Sequence, residues 1–130
     1  MITKTLLTTA ILAMAATVAT PSFARGTCKD AYVVATNDTG HKVKVVDMHY
    51  QISGYGKKSE PIRNQDIPAG QVFSITRNLE RANERNTQVI VVYRVRTDNA
   101  HFNKWSGLKR ATSDFQECTR NHVYEVSLTD

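Results

Sequence analysis

Beyond its first twenty residues the chain has no long apolar run. The richest later stretch, VIVVY at 89–93, is five residues long, against the ~20 that a membrane-spanning helix needs. Sulfur is scarce too: Cys28 and Cys118 are the only cysteines, and neither has a second one two to four residues away to start a zinc site. The motifs of common chemistries are missing. There is no G-x-S-x-G elbow for a nucleophilic serine and no H-x-H or H-E-x-x-H pattern for a metal. SGYGKKS (53–59) has glycines, Lys57 and Ser59, but not in phosphate-loop spacing, and no helix follows to offer its N-terminus, so it reads as a hairpin tip. Glu60, Asp66, Glu80 and Glu84 lie in charged, loop-like surroundings rather than as a recognisable catalytic pair. No amphipathic helix of ordinary length, internal repeat or low-complexity tract occurs. These absences point away from an enzyme, and no cofactor or metal is expected.

The presence of a leader is the first positive feature. Lys4 precedes an apolar run from Leu6 to Ala19, and PSFA follows, with Pro21 as helix breaker and small residues at Ser22 and Ala24. That is the pattern of a Sec-type signal peptide over residues 1–24, cleaved after Ala24. It leaves residues 25–130 as a single domain, periplasmic or secreted, with no transmembrane segment. Arg25 and Thr27 stand where a lipoprotein signal needs an apolar and a small residue, so Cys28 is not read as a lipid anchor. In an oxidising compartment the two cysteines are expected to form one disulfide, Cys28–Cys118, closing nearly the whole mature chain.

The leader's only charge is Lys4, so the mature chain carries one positive charge fewer than the +5 of the whole sequence. This mild excess favours acidic partners, namely an acidic protein face, an anionic glycan or an anionic lipid surface, without the clustered basic footprint of a nucleic-acid binder.

The rest of the chain alternates. AYVVAT (31–36), the turn signal NDTG (37–40) and KVKVVDMHY (42–50) read as a hairpin. The apolar phase slips by one residue at Val45–Val46, which predicts a bulge. Pro61 and Pro68 keep the next stretch irregular or at an edge; IPAGQVFSIT (67–76) turns into a strand with Phe73 and Ile75 on one face. RNLERANERN (77–86) has room for a helical turn or two. TQVIVVYRVR (87–96) is apolar on both faces in its first half, as suits a central strand. Residues 97–114 read as mostly irregular, and HVYEVSLTD (122–130) as a closing strand. Together these predict an all-β domain: a small antiparallel β-sandwich or barrel of about six strands, clipped by one disulfide.

Two candidates for function emerge. Asp47 and His49, two apart on a strand, share a face and suit a metal or an acid–base pair, although an ordinary polar face has the same pattern. HFNKWSGLKR (101–110) is the more suggestive. Phe102 and Trp105 lie among Lys104, Lys109 and Arg110, with Arg94 and Arg96 placed to extend the basic surface. An aromatic ring with flanking cations grips an anionic headgroup, a sugar or an acidic protein surface. The competing reading places the only tryptophan in the core, as tryptophans usually are. The expected activity is therefore non-catalytic binding of an envelope or acidic macromolecular partner through this loop; the alternatives are a membrane-active lipid-binding sandwich and, third, a hydrolase of envelope polymers. Asn37-Asp38-Thr39 is also a glycosylation sequon, relevant only in a eukaryotic secretory pathway, whereas the leader has a bacterial look.

Overall fold

A computed structural model describes residues 28–82, 85–97 and 104–130. The leader, its cleavage point, Glu84 and Phe102 lie outside the described residues. Among the described residues nine strands form two sheets: β1 (Ala31–Asn37), β2 (Val43–Ile52), β3 (Gly56–Ser59), β4 (Gln65–Ile67), β5 (Val72–Arg77), β6 (Asn86–Val95), β7 (Lys109–Thr112), β8 (Gln116–Glu117) and β9 (Val123–Leu128). The small sheet has the order β5-β1-β9. The large one has the order β3-β2-β6-β7, with β4 on the same edge of β2 as β3 and β8 on the same edge of β6 as β7. No helix is present among these residues, and 78–82 is a turn that buries Leu79 and Ala82.

Alternation builds the core. Val43, Val45, Met48, Tyr50 and Ile52 of β2, with Val89, Val91, Tyr93 and Val95 of β6, face Val33 and Ala35 of β1 and Tyr124, Val126 and Leu128 of β9. The expected bulge is present: the β2–β6 register shifts between Val45 and Asp47, so Val46 and Asp47 both turn outward and Met48 resumes the buried phase. β6 is central, as its two apolar faces suggest. Its outward Ile90 and Val92 are only 9% and 5% exposed, flanked in register by His49 and Thr112, and by Asp47 and Arg110. The tip of the β2–β3 hairpin is Ser53–Tyr55, where Gly54 takes a φ of 82° that a side chain would oppose. The rest of the GYGKKS stretch is strand β3.

Two expectations need correction. β1 and β2 are not a hairpin, for they belong to different sheets and the chain crosses between layers at 38–42. Asn37, fully buried, makes that corner. Its Nδ2 donates to the carbonyls of His41 (2.7 Å) and Ile67 (2.8 Å), and its Oδ1 accepts from the backbone N–H (3.0 Å) and hydroxyl (2.7 Å) of Thr39. The sequon nitrogen is thus committed inside the fold, and the folded protein offers no glycan acceptor there. Second, six of the seven strand pairings among the described residues are antiparallel, but β1 and β9 run parallel, Tyr32 opposite Val123 through Asn37 opposite Leu128. The described residues of 97–114 are mostly irregular, as expected, apart from the four-residue β7 and the bridge of Trp105 to Arg96.

The disulfide is formed. Cys28 and Cys118, both buried, stand 5.2 Å apart at Cα and tie the approach of β1 in the small sheet to the end of β8 in the large one.

Tyr124 sits at the centre of the interior, its hydroxyl donating to the Gln116 carbonyl at 2.9 Å. Burial pushes its phenol from 10.0 up to about 12, against the opposing effect of a hydrogen bond with Thr87. The fold therefore favours the neutral phenol. Its contribution is intact below the unfolded value near 10 and disappears as pH rises toward 12, a loss of about 3 kcal/mol at ~1.4 kcal/mol per pH unit. Urea midpoints should fall steeply between about pH 10 and pH 12. Tyr124→Phe should flatten that fall without abolishing it, because burial raises Tyr50 in the same direction.

Candidate functional site

The register of β2 against β6 decides what lies on the outer face of the large sheet. Lys44 is opposite Arg94, and on its other side Lys44 faces Asp66 of β4. Cross-strand partners point to the same side of a sheet, so these three side chains rise together. Arg96, just past the end of β6 and the next outward residue after Arg94, bridges to Trp105, and that bridge lays the indole over the same face. The ring is half-buried and is not part of the core cluster. Lys44 Nζ lies 4.6 Å from its centroid and the Arg96 guanidinium 5.9 Å, distances at which a cation is held by the ring for ~0.5–2 kcal/mol. The indole is thus a platform held by two cations, neither a core filler nor a free tip.

The described residues beside Trp105 are anchored to the end of β6. The Thr97 N–H donates to the Lys104 carbonyl (2.9 Å) and the Ser106 N–H to the Val95 carbonyl (2.8 Å), continuing the ladder past the end of β6. Ser106 Oγ accepts from the Val95 N–H at 2.8 Å, and Arg94 Nη1 donates to the Ser106 carbonyl at 2.9 Å. Arg94 therefore acts twice, holding the loop and presenting charge. Between these groups opens a shallow groove of about 390 Å³, lined by Lys44, Val46, Asn64, Arg94, Lys104 and Trp105. Arg110, in register with Val92, is exposed on the same face one strand away.

Of the residues singled out in the sequence, Arg94, Arg96, Lys104, Trp105 and Arg110 share this face. Lys109 does not: it is in register with Tyr93, whose side is the core side, and it lines another hollow at the end of the sandwich with His41, Asp130 and Arg96, the one residue of the Trp105 face that also reaches it. Phe102 is outside the described residues. Lys44, Val46 and Asn64 were not singled out; the pairings of β2 with β6 and with β4 bring them to the tryptophan.

The Asp47–His49 pair forms, with His49 Nε2 3.1 Å from Asp47 Oδ2, while Asp47 Oδ1 accepts from the Met48 N–H at 2.8 Å. Ser59 is the register partner of His49. Among the described residues no three His, Cys, Asp or Glu side chains group closely enough to hold a metal ion, and no helix is long and apolar enough to cross a membrane.

No protein-family model matches the chain, and no curated protein matches it. The geometry of the groove stands by itself.

Proposed function

We propose that this is an exported, non-catalytic binding protein that holds an anionic group of an envelope or acidic macromolecular partner in the Trp105 groove. One observation carries the proposal: a half-buried indole, outside the core, set between Lys44 and Arg96 with Arg94, Lys104 and Arg110 on the same sheet face. Asp66 and Asp47 are acids on that face, and Asp47 is engaged by His49, so cations dominate around the ring. An anion entering the groove displaces water from the indole and meets the Arg94 guanidinium already oriented by its bond to the Ser106 carbonyl, which lowers the ordering cost of binding. The disulfide supports export, since such bridges persist outside the reducing cytosol.

The test compares variants on the two faces. Retention on a sulfated-polysaccharide resin and pull-down from an envelope extract are measured for Trp105→Ala, Lys44→Ala and Lys109→Ala. Loss of a central aromatic anchor costs ~2 kcal/mol or more, about 30-fold in affinity. Trp105→Ala and Lys44→Ala should weaken binding on that scale, and Lys109→Ala should stay within about twofold of the parent because it sits on the other side. Retention of every partner by a folded Trp105→Ala protein overturns the proposal. Salt-sensitive sedimentation with phosphatidylglycerol vesicles, lost in the same variant, with no partner in the extract, turns it into the membrane-active alternative.

A further inference from the structure

Charge is divided unequally between the two sheets. The three strands of the small sheet, AYVVATN, VFSITR and VYEVSL, contain two charged residues, Arg77 and Glu125, and Arg77 is paired with Glu60 at 3.5 Å. The large sheet carries Lys44, Asp47, Lys57, Lys58, Asp66, Arg94, Lys109, Arg110 and Glu117 on its strands. The edges divide in the same way. Those of the large sheet are short and charged: GKKS, QDI, KRAT and QE. Such edges repel a further strand. In the small sheet, the chain leaving β9 is tied down, the Tyr93 hydroxyl donating to the Thr129 carbonyl at 2.6 Å. Among the described residues β5 is covered only at its C-terminal end, where Arg77 pairs with Glu60 and its Nη1 donates to the Thr76 carbonyl. The strand is six residues long, free of proline, lysine and bulge, and pairs among those residues on one side only.

The phase of β5 can be read from one bond. The Asn37 N–H donates to the Gln71 carbonyl at 2.9 Å, while on the other side of β1 the Tyr32 N–H donates to the His122 carbonyl at 2.8 Å. Odd-numbered residues of β5 therefore bond to β1, and Val72, Ser74 and Thr76 turn their N–H and C=O groups to the outer edge, where the Thr76 carbonyl accepts from the exposed Arg77 Nη1 at 3.0 Å and keeps its second lone pair for a partner strand. Phe73 and Ile75 point toward the core yet are only half-covered. Beside them a second hollow of about 410 Å³, lined by Ile67, Pro68, Val72 and Phe73 among others, opens between β4 and β5.

We propose that β5 pairs antiparallel with β5 of a second copy of this chain across a two-fold axis at Ser74, joining two three-stranded sheets into one of six strands. The sequence is self-complementary in that register. Ser74 meets its own copy, Val72 meets Thr76, and Phe73 meets Ile75, so no like charges face each other and the half-covered apolar pair closes over its symmetry mate. Centring on Ile75 instead sets Phe73 against Arg77, which is why Ser74 is the axis. A single strand pair is small beside the ~1,200–2,000 Å² of a stable complex, so the dimer is concentration-dependent. It leaves the Trp105 face of both copies open, and two linked grooves bind a polymeric anion more tightly than one.

Sedimentation equilibrium of the purified protein tests this, with three outcomes that count. The parent should pass from monomer to dimer as its concentration rises through the micromolar range, and Ser74→Lys, which puts two ammonium groups on the axis, should shift that transition at least tenfold higher. Ser74→Cys should form a disulfide-linked dimer on mild oxidation, since the Cα separation of about 5.5 Å in a bonded antiparallel pair lies within disulfide reach. A parent that stays monomeric to millimolar concentration overturns the proposal. So does a dimer indifferent to Ser74→Lys together with a Ser74→Cys variant that does not cross-link. If the lysine variant fails to fold, the cross-link decides.

Discussion

Replacing Cys28 and Cys118 together by alanine should lower the unfolding free energy by about 4–5 kcal/mol, the chain-entropy value for a loop of this size. The bridge spans a sequence separation of 90 and ties the two sheets at their margins, so its loss releases the approach of β1 and the end of β8 at once. Against the ~5–15 kcal/mol that stabilises an ordinary domain this is a large share, and melting should fall by roughly 20–30 °C. Calorimetry on parent and double variant gives the answer. Both cysteines are fully enclosed, so alanine adds no buried hydroxyl that would confuse the comparison. A difference under about 1 kcal/mol would mean that hydrogen bonds already hold the margins, such as that from the Leu79 N–H to the Cys28 carbonyl at 3.0 Å.

Asn37→Asp should cost about 4 kcal/mol or more, although it changes one atom. The amide nitrogen gives one hydrogen to the His41 carbonyl and one to the Ile67 carbonyl. A carboxylate there offers lone pairs to lone pairs in a site closed to water, and leaves two carbonyls without donors. Protonating the carboxyl restores one donor, so its folded pKa lies above the unfolded value near 4 and the penalty shrinks as pH falls through it. Urea midpoints for Asn37→Asp and Asn37→Ala at neutral and acidic pH separate the two effects: the aspartate variant should recover at acid pH and the alanine variant should not. Equal costs at both pH values would show that the corner yields without its amide.

That corner also explains where the sequence misleads. Asn, Asp, Thr and Gly between two apolar runs have the composition of a hairpin turn, yet the same residues close a passage between layers once the asparagine is swallowed. Turn chemistry is local, and it does not say which sheet the next strand joins. Where the deciding physics is local, the sequence is readable. The phase slip at Val45–Val46 is the bulge, and the two-faced apolar run at 89–93 is the central strand. The disulfide followed from compartment logic rather than from spacing. The candidate groove was half visible. Arg94, Arg96 and Trp105 lie within twelve residues of one another, whereas Lys44 and Asn64 reach the ring only through pairings of β2 with β6 and β4. Lys109 and Arg110 could not be told apart, because the face each occupies depends on β7 being a strand, and KRAT shows no alternation of apolar and polar residues although its side chains alternate in burial.

The parallel seam between β1 and β9 has a consequence for folding. β1 is the middle strand of its sheet, and one of its two neighbours is made from residues 123–128. A folding chain therefore carries β1 with one side bare until those residues dock, and contacts between strands so far apart in sequence form slowly. Any fragment that stops short of Val123 is left with an open apolar seam, which exposes unfinished copies to proteases and spares finished ones.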